Sequence, residues 1–173
     1  MGKTAKHCDF LSTFLEFADL RTTEKRHSGN SFSTAIQEGH IQQYGVFGLH
    51  EAFNNQWIRE QLQHTNITHR FYEDYLQGPF QLQEDVSNFI QHQTAAIGLE
   101  IDMDAIANMP SSAQSPSGWR LDEIRSLLYK IGHLKPNIAY LNLTEAAPLD
   151  ETDDLIVGKA LTYLVRDFIK SMK

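Results

Sequence analysis

The sequence predicts an α/β domain built on a mostly parallel sheet. Short apolar runs alternate with longer amphipathic ones, which is the pattern of successive βα units. Nothing in the 173 residues repeats or thins into a linker, so one domain spanning residues 1–173 accounts for the length. Three of the apolar runs close on carboxylates: Asp19, then Asp102 with Asp104, then Glu145. In an open parallel sheet, ligands bind beyond the carboxyl ends of the strands, so these acids are expected along one edge.

Element by element, Phe10 to Phe17 reads as a strand, although Leu11, Phe14, Leu15 and Ala18 also fit helical spacing. A polar loop from Arg21 to Asn30 leads to a helix over Phe32 to Glu38. Tyr44 to Leu49 is a short strand. Asn55 to His64 is a helix with Trp57, Ile58 and Leu62 on its apolar face. Ile67 to Tyr72 is a weaker strand. Pro79 to Gln93 places Phe80, Leu82, Val86, Phe89 and Ile90 at helical spacing, with Pro79 suited to the first turn. Ala95 to Ile101 has the look of a buried strand running into Asp102-Met103-Asp104. Asn108 to Gly118 is rich in Ser, Pro and Gly and must be a loop. Leu121 to Ile131 is a helix closed by Gly132. Asn137 to Leu143 is a strand ending at Thr144-Glu145. A last helix from about Asp153 to Met172 presents Leu155, Ile156, Ala160, Leu161, Leu164, Val165, Phe168 and Ile169 on one face.

The formal charge of −7 comes from interspersed acids and bases. No concentrated positive footprint exists, which argues against a nucleic-acid partner. The single cysteine, Cys8, cannot form an internal disulfide and suggests a reducing compartment. No apolar run approaches the roughly 20 residues needed to span a bilayer, and Met1 to Asp9 lacks the apolar stretch of a secretory signal. A cytoplasmic protein with no membrane partner is expected.

Asp102 and Asp104 would share a face of a continuing strand. Two adjacent carboxylates repel unless a proton or a cation neutralises one of them, and hard divalent ions suit their oxygens. Asp19 offers a third oxygen ligand from another strand end. A turn in which the aspartate caps the following segment is the competing reading. Glu145 suits a planar cation such as a guanidinium, or a structural salt bridge. Ser28-Gly29-Asn30 offers hydroxyl, amide and backbone donors to a carboxylate, or is simply a polar turn. The eight histidines show no paired ligand spacing, and His50, at a strand end, is the best placed. No Walker loop or GxGxxG appears, so nucleotide binding has no support.

Several segments in order resemble one family. They are Ala-Asp-Leu-Arg (18 to 21), Arg-His-Ser-Gly-Asn-Ser-Phe-Ser (26 to 33), Gly-Leu-His-Glu (48 to 51), GLEIDMDAIANMP (98 to 110), Ser-Pro-Ser-Gly (115 to 118) and Ala-Tyr-Leu-Asn-Leu-Thr-Glu-Ala-Ala-Pro (139 to 148). Together they resemble the ureohydrolases (arginase, agmatinase, formimidoylglutamase), formimidoylglutamase-like members above all.

The resemblance implies a three-layer αβα fold and a binuclear manganese site that activates a bridging water for hydrolysis of a formimino or guanidino C–N bond. It places Asp19, Asp102 and Asp104 at metal-ligand positions and Glu145 against the substrate's planar cation. Arg21, Ser28 and Asn30 would then hold the amino-acid end of a small-molecule substrate.

The departures are specific. Where the family has Asp-x-His-x-Asp, this chain has Leu15-Glu16-Phe17-Ala18-Asp19. Phe32 takes the position of a further histidine used in some arginases. Nothing before Leu15 resembles the family's upstream glycine-rich segment with its own histidine ligand. The expectation is an N-terminally truncated member with three carboxylates suited to one weakly held Mg or Ca ion. Two functions follow: a hydrolase of the family, or a non-catalytic remnant or interaction protein on the same fold, which ligand counting favours. Loss of upstream strands would expose an apolar sheet edge, predicting either low stability or a homo-oligomer that covers it.

Overall fold

The computed structural model describes residues 8–14, 18, 20–64 and 66–173. Among the described residues, five strands form one parallel sheet: β1 (Cys8–Phe14), β2 (Ile41–Leu49), β3 (Ile67–Phe71), β4 (Ala96–Asp102) and β5 (Ile138–Thr144). Their spatial order is β3-β2-β1-β4-β5. The chain moves outward from β1 to β3, then crosses back to start β4 on the other side of β1. That reversal makes the β1/β4 boundary the topological switch point, where such sheets open a crevice for ligands.

Right-handed crossovers put the helices of the two directions on opposite faces, and the core follows suit. The β2 side chains alternate between the two faces. Tyr44 and Val46 pack with Phe32 and Ile58, from the helices α1 (Ser31–Gln37) and α2 (Gln56–Gln61). Phe47 joins the opposite cluster with Val86 and Phe89 of α4 (Leu82–Gln91) and Leu128 of α5 (Leu121–His133). The result is the three-layer αβα arrangement. The larger cluster also takes Ile97, Leu99 and Ile101 from one face of β4, and Val157, Ala160 and Leu164 from α6 (Glu151–Ser171).

Most predicted elements are present, with informative shifts. The first run is a strand, not a helix, and pairs with both β2 and β4; residues 15–17 lie outside the described ones. The helix predicted over Asn55 to His64 is shorter, with Asn55 as its cap accepting from the Ile58 N–H at 3.0 Å. β3 stops at Phe71, and Tyr72 opens a helix not foreseen, α3 (Tyr72–Gln77). Six residues are too few for periodicity to register. Pro79 and Phe80 precede α4 rather than start it, and the Phe80 ring lies beneath the Arg70 guanidinium, 3.7 Å from its carbon.

Gly132 lies inside α5, and the left-handed residue past its end is Lys135, with φ 50°. Asp150 caps α6, its carboxylate accepting the N–H groups of Thr152 and Asp153 at 2.8 and 2.9 Å. The apolar residues of α6 do not share one face. Val157, Ala160 and Leu164 are buried, whereas Leu155, Ile156, Val165 and Ile169 are exposed. Asp167 of α6 is buried, and Arg125 and Tyr129 of α5 donate to its carboxylate at 2.7 and 2.9 Å.

The two sheet edges differ. β3 is five residues long and carries His69 and Arg70, with Arg70 paired to Asp85. β5 carries no charge over Ile138–Thr144, and its outer side has no strand partner among the described residues. No helix among the described residues is long and apolar enough to cross a membrane.

Candidate functional site

β4 ends on Asp102, which is 6% exposed, and a 3-10 turn (Met103–Ala105) follows, holding Asp104 at 5% exposure. The Asp102 Oδ1 accepts the Asp104 N–H at 2.8 Å. Strand geometry therefore ends at Asp102, and the capping turn, not a continuing strand face, sets the relation between the two acids. The loop beyond comes back to bind Asp104: Ser112 Oγ donates to Oδ2 and the Ala113 N–H to Oδ1, each at 2.8 Å.

The neighbouring strand completes this corner. Thr144 is the register partner of Asp102, and Glu145 follows it with φ 62°, a left-handed conformation that turns the chain at the strand end. The Glu145 carbonyl accepts the Ser112 N–H at 2.9 Å, so one loop laces β4 and β5 together. Burial pushes the Asp102 carboxyl up to about 8; the Asp104 N–H opposes this, and the charges of Asp104, Glu145 and Glu100 add to it. The hydroxyls of Ser111 and Thr144 are buried without a hydrogen-bond partner among the described residues, groups that a bound polar species would satisfy.

A second group sits at the end of β2. His50 is 6% exposed and stacks on Tyr72 with ring centroids 5.0 Å apart; its Nδ1 lies 3.7 Å from a Glu73 carboxylate oxygen. Burial holds its pKa below the ordinary histidine value, against the pull of Glu73. Asn54 ties this corner to Ala18, donating to the His50 carbonyl at 2.8 Å and accepting the Ala18 N–H at 3.0 Å. Tyr72 donates its hydroxyl to the Gly118 carbonyl at 2.7 Å and meets Trp119 edge-on.

The loop before α1 forms a third group. Asn30 is buried, and all of its amide bonds go to its own loop: Nδ2 to the carbonyls of Thr22 and Lys25, both at 2.7 Å, and Oδ1 from the His27 N–H at 3.0 Å. Asn30 thus shapes the loop. Ser28 lies in the short 3-10 turn ahead of it. Arg21 is exposed, with its stem against Gly29, and lines a cavity of about 600 Å³ between α1 and α2 whose floor includes Leu20, Ile36 and Trp57.

The structure brings Asp102, Asp104 and Glu145 together. No hydrogen bond or ion pair among the described residues joins them to Arg21 or Asn30. Asp19 lies outside the described residues. Sequence reasoning missed Ser111, Ser112 and Thr144, and the Glu73 and Tyr72 partners of His50. Only Ser111-Ser112 had a signal, as hydroxyls beside Pro110 in a stretch read as plain loop.

As a metal centre the corner is thin. Among the described residues no group of three or more His, Cys, Asp or Glu side chains is placed to hold an ion. Three of the four carboxylate oxygens of Asp102 and Asp104 already accept protein hydrogen bonds. Each of these oxygens keeps a further lone pair for a cation, and Asp19, the third acid of the expected set, lies outside the described residues.

The model of the arginase family matches residues 7–169. A comparison with curated protein sequences finds no match. Among solved structures, the formimidoylglutamase of Bacillus subtilis subsp. subtilis str. 168 superposes with a TM-score of 0.82 at 22% identity, over 96% of this chain and 53% of that one. A Trypanosoma cruzi formiminoglutamase solved with manganese gives 0.82 at 12% identity, over 98% and 58%. The arginase of Bacillus caldovelox gives 0.72 at 14%, over 94% and 60%. The chain thus spans between half and two thirds of the length of these structures.

Proposed function

Because the chain belongs to the arginase family, we propose that its acidic corner descends from the site of a manganese-dependent hydrolase of formimino or guanidino C–N bonds and now binds without catalysing. Asp102 and Asp104, with Asp19, hold at most one hard divalent ion. Glu145 faces a planar cationic group on a small amino-acid-like molecule. Arg21 and the Ser28–Asn30 turn serve its carboxylate end. The residence is cytoplasmic, in keeping with the single Cys8.

One observation carries this reading. Asp102 and Asp104 are buried together at the end of β4, and among the described residues no group of three or more His, Cys, Asp or Glu side chains is placed around them to hold an ion. A bimetallic centre needs ionised, available oxygens and imidazoles. The first motif of the family has Leu15 and Phe17 where two of those ligands stand, and an apolar side chain has no lone pair to offer. A divalent ion, when bound, would supply charge that keeps Asp102 ionised.

Titration calorimetry with manganese, on the chain and on an Asp102→Ala/Asp104→Ala variant, tests the reading. The expected result is one weak equivalent or none, with no turnover of formimidoylglutamate, arginine or agmatine. Two tight equivalents that vanish in the double variant, together with turnover, would instead establish the hydrolase reading, which the gathering of Asp102, Asp104 and Glu145 at one strand edge favours.

A further inference from the structure

Among the described residues, α6 carries a run of exposed apolar side chains. Leu155 and Ile169 of α6 are 58% and 52% exposed, and Val165, Tyr163 and Ile156 lie open beside them. β5, at one edge of the sheet, has no outer strand partner among the described residues. An apolar face of this extent marks an interaction surface.

The order of residues on α6 says what covers it. Two shallow grooves run along the exposed face and share Thr162. One is lined by Asp154, Leu155 and Gly158, the other by Val165, Arg166 and Ile169 with Lys170. The first turn of the helix carries Glu151, Asp153 and Asp154, and its far end carries Arg166, Lys170 and Lys173. None of Glu151, Asp154, Arg166, Lys170 and Lys173 takes part in a salt bridge among the described residues.

We propose that α6 pairs antiparallel with α6 of a second copy of this chain, about a two-fold axis passing Thr162. Reversal about Thr162 sets Asp154 against Lys170 of the second copy, Leu155 against Ile169, and Gly158 against Arg166. Each contact occurs twice, as an isologous interface requires. Acidic meets basic at both ends, Leu155 meets Ile169 just inside them, and the middle sets Lys159 against Val165 about the paired Thr162 residues. Gly158 has nothing within 4 Å of where a Cβ would stand, leaving room for the longer side chain opposite. At about 1.5 Å per residue the 21-residue helix supplies a seam roughly 30 Å long. The pairing is independent of any metal or substrate at the acidic corner.

Sedimentation velocity on the full chain across micromolar concentrations reads the assembly state, and a dimer is expected. Asp154→Lys and Lys170→Asp should each raise the dissociation constant about tenfold, and the double variant should restore it. In a Cys8→Ser background, Thr162→Cys should form a disulfide-linked dimer under mild oxidation. Ile169→Cys should not, because the two copies of residue 169 lie about 20 Å apart along the seam. Residues 154, 162, 169 and 170 are exposed, and circular dichroism confirms that each variant folds. A monomer at every concentration overturns the proposal and leaves the face to a different polypeptide. A dimer indifferent to the charge exchange, or cross-linked through 169 rather than 162, overturns this axis.

Discussion

A β-carbon on Gly132 would stand 2.3 Å from the carbonyl oxygen of Ser171, so α5 meets the last turn of α6 at backbone distance. Alanine in a helix is favoured over glycine by about 1 kcal/mol, but overpacking a closed contact costs about 1–3 kcal/mol. Gly132→Ala is therefore expected to destabilise by about 1–2 kcal/mol by forcing the two helices apart. Urea unfolding measures it, and a stabilised variant would show the contact to be loose.

Gly48 is constrained twice over. Its φ is 90°, and a Cβ would lie 2.5 Å from the Trp119 indole nitrogen. Gly48→Ala should cost about 2 kcal/mol or more, since positive φ and displacement of a packed ring both oppose it. Trp119 fluorescence should shift in the same variant, because the tryptophan is the side chain that must move. An unchanged emission spectrum with full stability would refute this packing.

In the metal-free protein Asp102 sets an alkaline dependence. Its carboxyl titrates near 3.9 when unfolded and near 8 when folded. The folded state therefore keeps a proton that the unfolded state has released. This contribution to stability is fully present below about pH 4 and is lost as pH rises to 8, by at most about 1.4 kcal/mol per pH unit. Asp102→Asn should remove that slope. Unfolding free energies of both proteins at pH 5 to 9 decide the matter, and parallel curves would mean Asp102 is ionised throughout.

His50 sets the opposite limb. Burial lowers its folded pKa, and His69 is lowered for the same reason. Unfolded chains take up these protons first as pH falls below about 6.5. The stability due to neutral, buried imidazole is present above that pH and is lost as pH falls through the folded values. His50→Phe keeps the stack on Tyr72 and should flatten the acid limb in part, and His50→Phe/His69→Phe should flatten it further. No change in slope would show that water reaches the ring.

What could be read in advance follows from the range of the forces involved. Period and run length located β2, β4, β5 and α6, because burial of one face or of both is written into neighbouring residues. The acids of β4 and β5 could be foreseen together, since they end successive strands of a parallel sheet. The turn that makes Asp102 a cap for Asp104 could be named as an option but not chosen, as both readings use the same two residues. The Ser112 and Ala113 contacts to Asp104 depend on how a Ser/Pro/Gly-rich loop returns across eight or nine residues, and no local pattern encodes that. Asn30 was legible as a polar group but not as an inward-facing one. The split of the apolar residues on α6 was missed because a helical wheel counts apolar positions without asking what lies opposite each.

The unequal sheet edges set a limit on growth. The short β3 edge, which carries the charged Arg70, is a poorer template for a neighbour than the uncharged β5 edge. The proposed two-fold pairing uses the α6 face once on each copy, so that contact closes at two. Removing the Arg70 charge, as in Arg70→Val, would make the protein receptive at both ends, and a molecule sticky at two different ends polymerises into filaments instead of closing.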